Sequence, residues 1–169
     1  MRVLEIAFVC TGESHDRIQA RREDGSEAAW RWGAGGPPHD LVHWVVEDEL
    51  GLARGFWGLV DAGADFGFVN ASGHSGERES AELGDATELM QAEAVVNSIQ
   101  QGMAMDPPWS DLECLRWSAT WCEQARTELP AGLDVCRYGE LRATAEDWVA
   151  RYRALGPSEA LHVTFPSHV

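Results

Sequence analysis

Two histidines and a glutamate recur at intervals of four residues early in the chain, in the segment His39-Asp40-Leu41-Val42-His43 and at Glu47. Residues four apart on an α-helix are neighbours on one face, with Cβ atoms roughly 5–6 Å apart. Two imidazoles at that spacing can bind one ion at roughly 2.0–2.1 Å from each nitrogen. The spacing therefore predicts a metal-binding helix edge with His39 and His43 as ligands.

The two acidic residues of this segment are the predicted catalytic groups. Glu47 is a candidate third ligand, or a base that acts on a metal-bound water. Asp40 is offset from the histidines by about 100° per residue, so we expect it to orient an imidazole or to transfer a proton. Projection on a helical wheel places all four polar side chains at the boundary between the buried face and water.

Other residues complete the predicted site. A mononuclear centre needs a third or fourth protein ligand, and His74, in a long polar stretch, is the predicted remote one. His162 is a second candidate that would face the same cleft from a final strand. A divalent ion, with zinc favoured, is the predicted cofactor. Arg54, Trp44 and Trp57 are predicted to bind the substrate. Trp44 lies beside His43, Trp57 could form a pocket wall, and Arg54 is the arginine, the only fixed cation, that lies just past the helix.

The block His39-Asp40-x-x-His43 is similar to two known patterns. One is the zinc motif of a family of ubiquinone-biosynthesis proteins, which has His-Asp-x-x-His and a glutamate further on. Gly55 stands where that glutamate belongs. The other is the His-Asp dipeptide of HD-domain phosphohydrolases, which are all-helical, whereas this chain opens with predicted strands. The zincin pattern needs glutamate directly after the first histidine, where this chain has Asp40. No family is assigned on these residues.

A purely structural interpretation accounts for the same residues. Both histidines would be partly buried and hydrogen-bonded, and Asp40 and Glu47 would interact with the positive end of the helix. The eight tryptophans would likewise belong to the core and its edge, because aromatic side chains dominate core energetics.

Two functions of the protein stay open. One is a metal-dependent enzyme, hydrolase- or lyase-like. The other is a non-enzymatic binding or protein-interaction module with a tryptophan-lined groove.

Charge and composition exclude several classes of protein. The chain of 169 residues carries 13 basic residues, all arginine, against 28 acidic ones, for a net charge of −15. Without lysine, an internal aldimine to pyridoxal phosphate and a P-loop nucleotide site are excluded. The acidic excess argues against nucleic acid and against an anionic membrane surface as partners. A small molecule or a protein is the expected partner.

The expected location is the cytoplasm. No apolar run approaches the roughly 20 residues that a membrane span requires, and the first residues lack the apolar segment of a signal peptide. The four cysteines, Cys10, Cys114, Cys122 and Cys136, form no Cys-x-x-Cys pair. A chain of this length does not depend on disulfides, so we expect reduced thiols.

Hydrophobic periodicity predicts a single α+β domain over residues 1–169. An N-terminal antiparallel β-meander is expected at 2–11, 17–23 and 28–32, with a hairpin turn at Asp24-Gly25. A C-terminal strand at 159–165 is expected to join this sheet. A central block of four to five helices is predicted between them, at 39–50, 54–62, 85–103, 110–128 and 144–155. Residues 63–84 are predicted to form a long loop that is functional or mobile.

Overall fold

The computed structural model describes residues 3–33, 38–64 and 86–167. These residues form four strands and five helices. In chain order they are β1 (Val3–Val9), β2 (His15–Arg21), β3 (Glu27–Gly33), α1 (His39–Leu50), α2 (Phe56–Asp61), α3 (Thr87–Ala104), α4 (Asp111–Gln124), α5 (Val135–Arg153) and β4 (Ala160–Pro166). His74 and most of the predicted long loop lie outside the described residues.

The four strands form one antiparallel sheet in the order β3-β2-β1-β4. β1 is central, and β4 pairs with it along its whole length, from Val3 opposite Pro166 to Val9 opposite Ala160. The predicted fold class, a meander completed by the C-terminal strand and combined with helices, is confirmed. The hairpin between β2 and β3 turns at Gly25, whose φ of 83° is accessible to glycine at little cost.

One face of the sheet is buried, because side chains alternate between the two faces of a strand. Leu4, Ile6 and Phe8 of β1 lie in the core, as do Val163 and Phe165 of β4. By the same alternation, His162 is exposed on the opposite face. The expectation that His162 faces the cleft beside α1 is therefore wrong.

Helix α1 is deeply buried in the described part of the chain. All eight residues from Asp40 to Glu47 are buried, because α1 packs against α3, α5 and β4. The Trp44 indole N–H donates to the Thr164 carbonyl oxygen at 2.9 Å and so joins α1 to β4. The helix ends at Gly51, whose φ of 66° is the left-handed C-cap that the sequence predicts.

The helix boundaries test the capping signals. α4 begins with the predicted capping box, in which the Ser110 hydroxyl and the Glu113 carboxylate each accept from the other's backbone N–H. α5 begins at Val135, nine residues before the predicted start. Asp134 caps it by accepting from the Arg137 N–H, whereas the Thr144 hydroxyl bonds to the Glu140 carbonyl within the helix.

The start of α3 departs from the predicted capping box. Asp85 lies outside the described residues, and the N-cap is Ala86, with no side-chain hydrogen bond. The Glu88 carboxylate accepts instead from the Arg54 backbone N–H at 2.5 Å. That contact ties the first turn of α3 to the segment between α1 and α2. None of the described helices combines the length and apolar character needed to cross a membrane.

A buried cluster of hydroxyl groups joins α3, α4 and α5. The Ser98 hydroxyl lies 2.6 Å from the Ser118 hydroxyl and forms a further hydrogen bond with the Tyr138 hydroxyl. Ser98 also donates to the Val95 carbonyl at 2.9 Å. Each buried polar atom of the cluster therefore has a hydrogen-bond partner. These bonds fix the positions of α3, α4 and α5 relative to one another, on the side of α3 that faces away from α1.

We expect Tyr138→Phe to lower the free energy of unfolding by roughly 1–2 kcal/mol, because a buried hydroxyl partner of Ser98 is lost without a change in volume. Denaturant unfolding followed by circular dichroism measures the change. Thr144→Val, on the same helix, removes a hydroxyl whose hydrogen bond to the Glu140 carbonyl is exposed to solvent; it is the matched control, with an expected change below about 0.5 kcal/mol. Equal stability of Tyr138→Phe and the wild type would contradict this account of the cluster.

Candidate metal centre

Polar stripes on α1 and α3 meet where the two helices pack. On α1 the stripe consists of His39, His43 and Glu47, at intervals of four. On α3 it consists of Glu93, Asn97 and Gln100, at intervals of four and three. Because side chains three and four apart share one helix face, each helix presents its stripe to the other.

Three side chains converge at this contact. His43 Nε2 lies 3.1 Å from His39 Nε2 and 3.3 Å from a Glu93 carboxylate oxygen. His39 Nε2 lies 3.5 Å from the other Glu93 oxygen. Among the described residues, this is the single group whose side-chain atoms are placed to hold a metal ion.

The far nitrogen of each imidazole has its own acceptor. His43 Nδ1 donates to Glu47 Oε1 at 2.9 Å, and His39 Nδ1 donates to Gln100 Oε1 at 2.6 Å. With Nδ1–H used in this way, the neutral imidazoles direct their Nε2 lone pairs toward each other and toward Glu93. Three acceptors then face one point, and a shared positive charge is needed there.

A proton on His43 supplies that charge when no ion is bound. Burial alone would lower the pKa of His43, but the carboxylates of Glu93 and Glu47 outweigh it and raise the pKa to about 10. Burial likewise opposes ionisation of Glu93, yet the two imidazoles hold the pKa of its carboxyl far below the usual range. A metal ion at this point must displace the His43 proton. The same carboxylates therefore stabilise either the proton or the metal ion.

The spacing of the three groups fits a metal ion. Ligand atoms about 2.0–2.1 Å from one ion at tetrahedral angles lie roughly 3.3 Å apart. The observed separations are 3.1, 3.3 and 3.5 Å. Two imidazole nitrogens and a carboxylate oxygen are ligands that zinc, iron and manganese all accept. The residues present therefore fit a divalent metal and do not select zinc among these ions.

The predicted catalytic acids lie beside this centre. Asp40 is buried, and its carboxylate accepts from the Trp30 indole N–H at 2.8 Å; burial raises the pKa of Asp40, and that hydrogen bond opposes the rise. Glu47 is fully buried behind His43, on the Nδ1 side, and the group of possible ligands does not include it. Glu93 occupies the position of the third ligand.

The predicted substrate-binding residues lie in other surroundings. Trp57 is fully buried, and its indole N–H donates to the Asp40 carbonyl at 3.0 Å. Trp44 packs edge-on against Trp148, with ring centroids 4.8 Å apart. Arg54 is exposed in the segment between α1 and α2. The two tryptophans therefore belong to the core that supports α1.

Glu93 is the site residue that the sequence reasoning missed. It lies 50 positions after His43 along the chain, and nothing local connects them. The sequence does indicate a polar stripe on α3, because Glu93, Asn97 and Gln100 recur at intervals of four and three. The stripe contains one potential metal ligand and two amides. Recognising it requires knowing that α3 packs on α1.

Comparison with known proteins adds no assignment. No protein-family model, curated protein or solved structure matches the chain.

We expect Glu93→Gln to lower the pKa of His43 in the metal-free protein, because Glu93 is the strongest influence that raises it. A histidine with a raised pKa stabilises the fold fully below about 6.5, and this stabilisation is lost as the pH rises through about 10. The variant should therefore lose less stability than the wild type between these pH values.

The titration of the His43 ring by NMR and unfolding at several pH values measure both effects. Glu49→Gln, an exposed position on the same helix, is the control and should leave the His43 titration unchanged. An unchanged His43 pKa in Glu93→Gln would show that the two side chains do not interact as described.

Proposed function

We propose that this protein is a metal-dependent enzyme, hydrolase- or lyase-like, whose ion is held by His39, His43 and Glu93. The observation that carries the proposal is the convergence of two imidazole nitrogens and a carboxylate within 3.1–3.5 Å. Within this proposal the enzyme works in the cytoplasm, where its four free cysteines stay reduced.

The ligand count favours catalysis over a structural role. Structural zinc sites are closed by four protein ligands, whereas catalytic sites combine three protein ligands with a position for water or substrate. Here three side chains converge, and two of them are partly open to solvent: His39 is 26% exposed and Glu93 is 39% exposed. His43, at 1%, anchors the buried side, so the open position lies on the outer side of the centre.

The chemistry follows from this arrangement. A divalent ion lowers the pKa of a bound water and polarises a substrate oxygen, which serves hydrolysis and elimination alike. His43 would provide the fixed, buried part of the centre. Asn97 donates to Glu93 at 3.4 Å, so its amide favours the ionised carboxylate that a ligand must be. Substrate would approach past His39 and Glu93.

A second function has one observation in its favour. Three indole rings form a row: Trp109, just before α4, stacks on Trp117 with ring centroids 5.6 Å apart, and Trp117 lies tilted against Trp121 at 5.7 Å. Trp117 is 43% exposed, and exposed aromatic clusters mark binding surfaces. A non-enzymatic binding module would use this surface instead of the metal centre.

Protein purified without a histidine tag should contain close to one equivalent of a divalent transition metal, measured by elemental analysis. His39→Ala/His43→Ala and Glu93→Ala should each lower the metal content at least tenfold, because two or fewer protein ligands do not hold the ion. His15→Ala/His162→Ala removes two exposed histidines and is the matched control, with unchanged content expected.

Metal content below a tenth of an equivalent, in protein that also takes up no added Zn²⁺, Mn²⁺ or Fe²⁺, would rule out the metal-dependent enzyme. The binding module would then be the better account. Retention of metal by the His39→Ala/His43→Ala variant would show that the ion binds elsewhere.

A further inference from the structure

We propose that Glu47 is a positioning residue for the metal centre, and that it couples the affinity for the ion to the docking of helix α2. The inference rests on the proposed function, because it concerns how His43 is made into a ligand. Glu47 is not one of the side chains placed to hold the ion. It acts on His43 from behind, and α2 in turn holds Glu47.

The Glu47 carboxylate has three donors on its two oxygens. Oε1 accepts from His43 Nδ1 at 2.9 Å and from the Phe56 backbone N–H at 2.8 Å. Oε2 accepts from the Trp57 backbone N–H at 2.8 Å. Burial raises the pKa of Glu47, and these hydrogen bonds oppose the rise. Since every contact is a donated N–H, the arrangement suits the ionised carboxylate.

Two of these donors are the first N–H groups of α2, which begins at Phe56. Such groups have no partner within the helix, and Gly55, the N-cap residue, supplies no side-chain hydrogen bond. Glu47 therefore caps α2 from another helix. The cap fixes the carboxylate, and the carboxylate fixes the ring of His43.

The glycine at position 55 makes this contact possible. A Cβ atom there would lie 2.7 Å from both Glu47 carboxylate oxygens, closer than van der Waals contact allows. The φ of Gly55 is −72°, which any residue adopts, so space and not backbone conformation requires glycine. The segment Gly55-Phe56-Trp57-Gly58 is thus the docking surface for Glu47. Gly58 is similarly restricted, because its Cβ would collide with the Ala53 carbonyl oxygen.

The consequence for the centre is a fixed orientation of His43. With Nδ1–H committed to Glu47, His43 presents Nε2 to Glu93 and His39. A charged acceptor behind an imidazole also makes that imidazole a stronger ligand. His39 has the neutral amide of Gln100 in the same role. The two histidines are therefore unequal, and His43, the more buried one, is the ligand whose strength the fold controls.

Glu47→Gln tests the proposal. An amide cannot accept at both of its terminal atoms, so one of the three donors must lose its partner. We expect the variant to bind Zn²⁺ roughly 10- to 100-fold more weakly than the wild type, the range for residues that orient a metal ligand. Titration of the metal-free protein with Zn²⁺, at a temperature where circular dichroism shows the variant folded, measures the change.

Asp16→Asn is the matched control. Asp16 is also a buried carboxylate; its oxygens accept from the Thr11 backbone N–H at 2.9 Å and from the Tyr152 hydroxyl, and no imidazole is involved. The control should lose stability and keep its Zn²⁺ affinity within threefold. A loss of affinity equal to that of Glu47→Gln would mean that general destabilisation explains both variants.

Gly55→Ala provides a second route to the same test, should Glu47→Gln not fold. It leaves the carboxylate in the chain but displaces it from His43, and it should weaken Zn²⁺ binding in the same direction. Gly33→Ala, where a Cβ meets nothing within 4 Å, is its control. Wild-type affinity in both Glu47→Gln and Gly55→Ala would overturn the proposal.

A spectroscopic measurement separates this inference from the proposed function. In the metal-free wild type, the ¹⁵N spectrum should show a His43 Nδ1–H resonance shifted by its hydrogen bond to Glu47, and this shift should be lost in Glu47→Gln but kept in Asp16→Asn. An unprotonated Nδ1 would overturn the positioning role even if metal binds. If the wild type binds no metal, the proposed function fails, and the ¹⁵N result alone decides whether Glu47 orients His43.

Discussion

The burial of the Glu47 carboxyl group is the constraint on which the site depends, because burial raises its pKa and only its hydrogen bonds and His43 oppose that rise. A charge removed from water destabilises a protein unless hydrogen bonds and an opposite charge compensate it. Here the compensation comes from His43 and from the uncapped start of α2. The chain must therefore turn back after α1, and it must carry glycine where it passes the carboxylate. The short segment between α1 and α2 is shaped by this one group.

The packing of α3 against α1 then determines what His43 faces. Apolar residues of both helices enter one continuous core with the sheet and α5, and the hydroxyl cluster behind α3 fixes its position relative to α4 and α5. Once these helices are in register, the polar stripe of α3 has to meet the polar stripe of α1. The Glu93 carboxylate stabilises the positive charge, a proton or a metal ion, that two imidazole nitrogens facing each other require.

Capping residues in the sequence predicted the ends of helices correctly where a single local interaction determines the helix end. Gly51 ends α1 because this C-cap has a left-handed backbone conformation, which glycine adopts at little cost. Ser110 and Glu113 begin α4 through two hydrogen bonds between residues only three apart in the chain. The start of α5 was mispredicted for a physical reason. Thr144 and the acids after it have the residue types of a cap, but inside a helix the threonine hydroxyl bonds back to a carbonyl four residues earlier. Asp134 provides the true cap, and Gly139 is tolerated in the interior of the helix, where its lack of a side chain admits the Asp111 carboxylate.

The sequence by itself determined the α+β class, the pairing of the terminal strand with the meander, and the placement of His39, His43 and Glu47 along one helix edge. These follow from periodicity, which acts between residues close in the chain or repeated along it. Only the tertiary structure decided that Glu93 is the third group and that Glu47 stands behind His43. Both outcomes depend on contacts between elements, α3 on α1 in one case and α2 on α1 in the other. Helix periodicity determines which residues share a face of one helix. It does not determine which face of another helix packs against those residues.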